Sequence, residues 1–222
     1  MDEPVFVPLP PRYVPDAAPE VAAREFCERM ETRRSIRMFS DRPVSRETIE
    51  WIVRAAGSAP SGANKQPWRF VCVSDPAAKS RIRAAAEKEE REFYRRRASE
   101  RWLQDLAPLG TDDVKEYLEV APWLIVIFKL AKDEDGAQVY YAAESVGIAT
   151  GMLLTAAHLA GLCTLTHTPS PMGFLGELLG RSPNERAYMV VPIGYPADDC
   201  AIPEEALNKK PLDEIMTVHE SA

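Results

Sequence analysis

The chain has 222 residues, 45% of them hydrophobic, and a formal net charge of −7 at pH 7. A chain of this length can bury one sizeable core, and its acidic balance argues against a general nucleic-acid binder, which carries a basic face. The four cysteines lie far apart and form no CxxC pair, which indicates isolated thiols in a reducing compartment. The longest apolar stretch, 120–130, is shorter than the ~20 residues of a membrane span, so we expect a soluble, cytoplasmic protein.

Proline marks both ends of the chain. Residues 1–19 contain six prolines and cannot form a helix, yet Phe6, Tyr13 and their apolar neighbours make this segment too hydrophobic for a solvated tail. The tail from Pro196 has the same character. We expect both arms to lie on another surface, which predicts an intertwined homodimer with a large interface.

Between the arms, helical and strand patterns alternate. The first half of the chain predicts a helix at about 20–32, a helix after the N-cap Ser45 that ends at Gly57, a loop of small residues at 57–67 and a strand at 68–73. A long charged helix from Pro76 to about 97 follows, then a short helix at 112–119 and a strand at 123–129. The last predicted elements are a long apolar helix at 139–162, a strand at 163–168, a short helix at 172–179 and a strand at 187–193. This pattern predicts an α+β fold, with a mixed central sheet flanked by helices. The predicted organisation is an extended arm at 1–19, one domain at 20–195 and a C-terminal arm at 196–222 that crosses a dimer.

The segment Arg33-Arg34-Ser35-Ile36-Arg37 places three guanidinium groups and a hydroxyl within five residues. Guanidinium groups bind phosphate oxygens in pairs, and a serine hydroxyl can add a further donor. Because the chain is acidic overall, a small phosphorylated ligand fits this cluster better than nucleic acid does. On the cluster alone, a solvated helix end whose arginines interact with the helix dipole is the favoured alternative.

Three polar residues stand out in the charged middle of the chain. Glu90 and Tyr94 are four residues apart and share one face of the long helix, and Lys115 follows on the next helix. A carboxylate, a phenol and an ammonium group brought together could hold a zwitterion. From these residues alone, an exposed helix of alternating charges is the favoured alternative.

Thr164, Thr166 and Thr168 alternate along a predicted strand and are expected to face the same side. The Thr168 hydroxyl could donate to a ligand, or it could satisfy the end of the strand. His158, His167 and His219 are scattered and give no metal-binding spacing, and the sequence contains no GxSxG, Walker or GxGxxG motif. We therefore expect no metal site.

Several of these motifs occur together in one known family. They are the arginine-serine cluster, Ala59-Pro60-Ser61-Gly62-Ala63 with Pro67-Trp68, Lys115-Glu116-Tyr117-Leu118, Thr166-His167-Thr168-Pro169, Pro192-Ile193-Gly194-Tyr195-Pro196 and Lys210-Pro211-Leu212. Over most of its length the chain resembles the flavin-dependent nitroreductase superfamily, and within it the iodotyrosine deiodinase family. Animal members of that family carry a membrane anchor, which we expect this chain to lack. The spacing of Glu90, Tyr94 and Lys115 is the most specific part of the resemblance.

The resemblance implies a homodimer with FMN in each of two interfacial sites. Residues that would bind the FMN phosphate and ribityl chain are Arg33, Arg34, Ser35 and Arg37, helped across the dimer by Lys209, where the family usually has arginine. Residues that would line the flavin ring are Pro60, Ser61, Gly62, Thr166 and Thr168. The Thr168 hydroxyl would face flavin N5, and the backbone amide of Ala63 would face the phenolate oxygen of the substrate, which makes these two the implied catalytic groups. A lid at about 84–119 would carry Glu90, Tyr94 and Lys115 to the amino-acid end of the substrate.

The implied activity is FMN-dependent reductive dehalogenation of halotyrosines to tyrosine and halide by stepwise one-electron transfer. The implied substrate is 3-iodotyrosine, with diiodo-, bromo- and chlorotyrosine as further candidates, and an external reductase or NAD(P)H would supply electrons. One alternative is a general FMN nitroreductase or quinone reductase using NAD(P)H, which needs no zwitterion site. A second alternative is a flavin-consuming enzyme of the same superfamily, for which the sequence shows no specific mark, and a third is a flavin-binding or sensing protein without turnover.

Overall fold

The N-terminal part of the chain is an extended arm followed by one helix. The computed structural model describes residues 3–220, which form two compact units, one ending at Arg33 and the other beginning at Arg34. In the first unit, helix α1 (Pro19–Glu31) begins at a proline. The first residue of a helix has no acceptor for its N–H, so the lack of an N–H in proline costs no helical hydrogen bond there. The arm before it has no regular structure, and its side chains Val5 and Phe6 are exposed in the single chain. The surface predicted to cover this arm therefore stays a prediction.

The second unit is built on a sheet that has four strands in the described part of the chain. They are β1 (Trp68–Val73), β2 (Trp123–Leu130), β3 (Cys163–Thr164) and β4 (Glu185–Gly194), in the order β1-β2-β4-β3. All three strand pairings are antiparallel, and a single parallel bridge joins Ser35 to Thr164. The helices of this unit are α2 (Arg46–Gly57), α3 (Pro76–Glu92), α4 (Glu100–Leu106), α5 (Tyr117–Val120), α6 (Ala142–Leu159), α7 (Gly173–Leu178) and α8 (Leu212–Ile215). The predicted α+β fold, with a central sheet flanked by helices, is confirmed, and the strands of this sheet pair antiparallel where a mixed sheet was predicted.

Helices cover both faces of this sheet. Successive residues of a strand point to opposite faces, and in β2 Leu124 and Val126 pack into one core while Ile125 and Ile127 pack into the other. The first core is completed by buried residues of α3, α5 and α7, and the second by buried residues of α2 and α6. Each fully buried aliphatic side chain contributes roughly 1.5–3 kcal/mol. The result is a sheet between two helical layers, and no helix within residues 3–220 has the length and apolar character of a membrane span.

Two helix starts follow the local sequence. The Ser45 hydroxyl accepts a hydrogen bond from the Thr48 amide at 3.1 Å, and the Asp75 carboxylate accepts one from the Ala78 amide at 2.7 Å. Each side chain satisfies one of the N–H groups that the first turn of a helix leaves without a partner. The predicted starts of α2 and α3 are confirmed.

The strand predicted at 163–168 is shorter in the structure. The ladder that β3 forms with β4 reaches Pro192, which accepts a hydrogen bond from Leu165 but has no N–H to return. Regular pairing ends there and resumes at a single bridge between His167 and Val190. Thr164 is buried, whereas Thr166 and Thr168 are exposed. Burial therefore separates Thr164 from the other two threonines, and that all three face the same side stays a prediction.

The charged middle of the chain also departs from prediction. The α-helical pattern of α3 stops at Glu92 and continues as a π-helical turn, Phe93–Arg97. Helix α4 was not predicted, because its sequence is dominated by charged and polar residues. Helix α5 begins at Tyr117 instead of 112, since the Asp112 side chain accepts the Val114 amide at 2.9 Å and forms a local turn before it.

Candidate active site

A cleft of about 420 Å³ opens beside the C-terminal half of α3. Its lining includes six residues that the sequence singles out for a site: Arg37, Glu90, Tyr94, Lys115, Thr166 and Thr168. They come from four separate segments of the second unit. The fold therefore brings together the proposed zwitterion site, one arginine of the basic cluster and the two exposed threonines.

The charged part of this cleft is a buried ion pair. Lys115 Nζ lies 3.3 Å from Glu90 Oε2, and the two side chains are 7% and 13% exposed. The same Nζ lies 5.8 Å from the centre of the Tyr94 ring, within the range of a cation–π contact. The alternative of an exposed helix with solvated charges is wrong for Glu90.

Neighbouring groups hold these three side chains in place. The Lys115 backbone amide donates to Glu87 Oε1 at 2.9 Å, and its Nζ also donates to the carbonyl oxygen of Asp112. The Tyr94 hydroxyl donates to Thr111 Oγ1 at 2.9 Å. The clamp, as we call Glu90, Tyr94 and Lys115, is thus preorganised in this arrangement.

Burial dominates the electrostatics of Glu90. Removal from water raises the pKa of this carboxyl above its ordinary value, and the charge of Lys115 opposes that rise. A carboxylate and an ammonium group that face one cavity can each give up the other as a partner. The carboxylate can then pair with the ammonium group of a zwitterionic ligand, and the ammonium group with its carboxylate. The cleft is therefore suited to the amino-acid end of a small molecule.

Aromatic and aliphatic side chains form another part of the lining. Phe93 packs edge to face against Trp102, with ring centres 4.9 Å apart, and against Tyr94 at 5.3 Å. Leu106 and Met172 extend this apolar surface. A ligand with charges at one end and an apolar ring at the other matches the two parts of the cleft.

The arginine cluster lies partly along the sheet. Ser35 bridges Thr164, and the Ile36 amide donates to the Thr164 carbonyl at 3.2 Å. Arg37 then lines the cleft, so the favoured alternative of a solvated helix end is wrong for this part of the cluster. Arg34 is the first residue of the second unit, while Arg33 is the last residue of the first unit. The roles of both stay predictions.

Pro60, Ser61, Gly62 and Ala63 do not line this cleft. They form a tight loop in which Ser61 Oγ accepts the Gln66 amide at 2.9 Å and the Gly62 amide donates to Ser145 Oγ at 3.4 Å. Ala63 adopts a left-handed conformation with φ 49°, which is strained for a residue with a side chain. Its amide donates no hydrogen bond to another residue within 3–220. The loop thus presents a free backbone donor away from the cleft of its own chain.

Lys209 also lies outside the cleft. It is exposed in the segment between the turn Glu204–Leu207 and helix α8. The described residues contain no group of three or more His, Cys, Asp or Glu side chains that could hold a metal ion.

Two buried residues of the cleft were missed by sequence reasoning. Tyr117 and His167 face each other, with the phenol oxygen 3.2 Å from His167 Nδ1. Burial, reinforced by the charges of Lys115 and Arg37, lowers the pKa of His167 to about 3, so the imidazole is neutral at physiological pH. The alternation Thr166-His167-Thr168 was the available signal for a buried His167. In an extended segment the imidazole points to the side away from the two threonine hydroxyls.

Comparison with known proteins agrees with this fold and shows the family of the chain. The sequence pattern of the Nitroreductase family matches residues 30–195. The chain is 50% identical to an iodotyrosine deiodinase of Haliscomenobacter hydrossis, over 98% of this chain and 99% of that protein. It is 42% identical to iodotyrosine deiodinase 1 of Homo sapiens, over 95% of this chain and 74% of the human protein.

A solved structure gives the same result. The crystal structure of oxidised iodotyrosine deiodinase bound to FMN and 3-iodo-L-tyrosine superimposes with a TM-score of 0.73 at 28% identity, covering 89% of this chain and 100% of that one. The chain belongs to the nitroreductase family and, within it, to the iodotyrosine deiodinases.

Proposed function

We propose that this protein is an FMN-dependent reductive dehalogenase that converts halotyrosines, first of all 3-iodotyrosine, to tyrosine and halide. The observation that carries the proposal is the buried Lys115–Glu90 pair, which faces a cleft with an apolar aromatic lining. The structurally similar deiodinase holds both FMN and 3-iodo-L-tyrosine, which supports the same pair of ligands here.

The residues at the cleft fit FMN. Thr166 and Thr168 expose hydroxyls at the cleft and Arg37 offers a guanidinium group, so the donor set matches a flavin edge and a phosphate. We propose that Arg33, Arg34, Ser35 and Arg37 bind the phosphate and ribityl chain, and that the Thr168 hydroxyl faces flavin N5. Bound FMN would supply the electrons for cleavage of the carbon–halogen bond, one at a time.

The clamp would then bind the amino-acid end of the substrate. Glu90 would accept the substrate ammonium group, Lys115 would pair with its carboxylate, and Tyr94 would close over both. These contacts exclude water from the reacting end and use remote binding energy to order the site. The proposed lid at about 84–119 would carry all three side chains.

A homodimer would complete the site. Pro60, Ser61, Gly62, Ala63 and Lys209 do not line the cleft of their own chain, so we infer that Lys209 of the partner subunit reaches the phosphate and that the loop at 60–63 comes from the partner subunit as well. Exposed apolar residues on α6, Ile148 and Leu159, offer an interface. The free amide of Ala63 would donate to the phenolate oxygen of the substrate, as in an oxyanion hole.

Two further features complete the proposal. An external reductase or NAD(P)H would reduce the flavin. The described cysteines are all free thiols, which supports a reducing compartment, the cytoplasm.

The competing function is general nitroreduction, since the fold is shared with nitroreductases. Steady-state assays with the holoprotein and a chemical reductant separate the two functions, by comparing iodide release from 3-iodotyrosine with reduction of a nitroaromatic compound. We expect kcat/KM for 3-iodotyrosine to exceed that for the nitroaromatic. Nitroaromatic turnover without iodide release would contradict the proposal, and binding without any turnover would favour a sensor.

A further inference from the structure

Two buried polar side chains beside the clamp have no part in the proposed reaction. Tyr117 and His167 are 5% and 7% exposed, and their rings meet edge to face with centres 5.7 Å apart. The hydrogen bond between the phenol and Nδ1 joins residues 50 positions apart in the chain. It therefore links two distant segments of the fold.

Packing alone does not explain an imidazole at this position. His167 Nε2 is fully buried without a hydrogen-bond partner among the described residues. A buried polar atom without a partner costs stability, and an apolar side chain of similar size would avoid that cost. The imidazole is therefore present at a cost in stability, and its other nitrogen, Nδ1, is the one that bonds Tyr117.

Both residues of this hydrogen bond are uncharged at neutral pH. Burial raises the pKa of Tyr117 far above its ordinary value, while the pKa of His167 is lowered to about 3. A phenol and a neutral imidazole nitrogen can share this hydrogen bond with either group as the donor, according to the imidazole tautomer. The contact is thus a fixed link across the working pH range, and it carries no net charge.

Each partner of this hydrogen bond is attached to one part of the site. Tyr117 follows Lys115 by two residues in the same turn, since the Lys115 carbonyl accepts the Leu118 amide at 3.0 Å. His167 lies between Thr166 and Thr168, and its backbone amide and carbonyl both bond Val190 of β4, at 2.9 and 2.8 Å. One end of the link therefore belongs to the clamp and the other to the segment that presents the threonine hydroxyls.

We propose that Tyr117 and His167 are positioning residues that couple the grip of Lys115 on the substrate to the placement of segment 166–168 beside the flavin. This inference rests on the proposed function. Lys115 has two alternative partners, Glu90 in the present structure and the substrate carboxylate when the cleft is filled. A change of partner shifts the turn that starts at Lys115, and the Tyr117 hydroxyl transmits that shift to the imidazole. Substrate and FMN then strengthen each other's binding by the same factor, as thermodynamic linkage requires.

The test measures this factor directly. FMN release from the holoprotein is followed by flavin fluorescence, without and with saturating 3-iodotyrosine, and the ratio of the two dissociation constants is the coupling factor. We expect Tyr117→Phe to lower the coupling factor by about 2- to 10-fold, as loss of one neutral hydrogen bond implies, while FMN affinity without substrate changes little. His167→Phe should give the same loss, and the double variant should lose no more than either single variant, because both remove one interaction.

Tyr188→Phe is the matched control. It removes the same atom from a phenol that packs beside Gly147 of α6 and does not line the cleft, so its coupling factor should equal that of the wild type. A wild-type coupling factor in Tyr117→Phe and His167→Phe would overturn the inference, as would weaker FMN binding with an unchanged factor. Failure of the wild-type protein to bind 3-iodotyrosine would overturn the proposed function itself, and the coupling with it.

Discussion

Replacing Lys115 with methionine should weaken 3-iodotyrosine binding by about 10- to 150-fold, which corresponds to the ~1.5–3 kcal/mol of a hydrogen bond to a charged group. Methionine keeps a long apolar stem and removes the charge that would pair with the substrate carboxylate. Glu90 also loses its counter-charge, so the pKa of this buried carboxyl should rise further. Quenching of flavin fluorescence by added ligand gives the dissociation constant.

A ligand without a carboxylate sharpens this prediction. 3-Iodotyramine keeps the ammonium group and lacks the carboxylate, so it can take the place of Lys115 as the counter-charge of Glu90. It should bind the Lys115→Met variant at least as tightly as it binds the wild type. Lys88→Met is the matched control, because Lys88 is exposed on the same helix α3 and should leave binding of both ligands unchanged. Equal losses for both ligands in Lys115→Met would mean that the variant damages the cleft in general and would contradict the assigned role.

Replacing Glu90 with glutamine should weaken 3-iodotyrosine binding by at least several-fold, and by up to about 150-fold if the full ~1.5–3 kcal/mol of a charged hydrogen bond is lost. The amide keeps the shape of the side chain and removes the charge that would meet the substrate ammonium group. Lys115 keeps the Asp112 carbonyl as a partner, so the lysine stays anchored. The same fluorescence titration measures the effect.

The matching analogue here is 3-(4-hydroxy-3-iodophenyl)propionate, which lacks the ammonium group. Without Glu90 the charge of Lys115 is no longer neutralised, so this anion should bind the Glu90→Gln variant at least as tightly as it binds the wild type. Glu92→Gln serves as control, since Glu92 lies on the same helix and pairs with Arg96 away from the cleft lining. Unchanged 3-iodotyrosine affinity in Glu90→Gln would refute the clamp.

Local sequence signals predicted the parts of the fold that depend on local chemistry. The Ser45 and Asp75 caps marked helix starts because their side chains bond backbone amides three residues ahead. The apolar run of β2 marked a strand buried on both faces. The end of β3 escaped prediction, because it depends on Pro192 in a strand that follows much later in the sequence.

Prediction of the site from the sequence was limited in the same way, by contacts between segments that lie far apart in the chain. Spacing placed Glu90 and Tyr94 on one helix face, but the burial of the Lys115–Glu90 pair depends on how the turn before α5 packs on α3. The resemblance to a family supplied the association that spacing lacked. Its motifs contain Tyr117 and His167 but assign them no role, and their contact is visible only when the two segments are folded together. The roles of Lys209 and the loop at 60–63 stay predictions, since they depend on a second subunit. Those of Arg33 and Arg34, at the boundary between the two units, stay predictions as well.

The central claim is that reduced FMN beside this clamp removes halide from a halotyrosine. Anaerobic mixing of the fully reduced holoprotein with 3-iodotyrosine tests it in a single turnover, with flavin absorbance, iodide and tyrosine measured together. The carbon–iodine bond is replaced by a carbon–hydrogen bond while the flavin gives up two electrons, so tyrosine and iodide should each form in the same molar amount as the reoxidised flavin. A flavin that stays reduced, with no iodide released while a nitroaromatic compound reoxidises it, would contradict the claim.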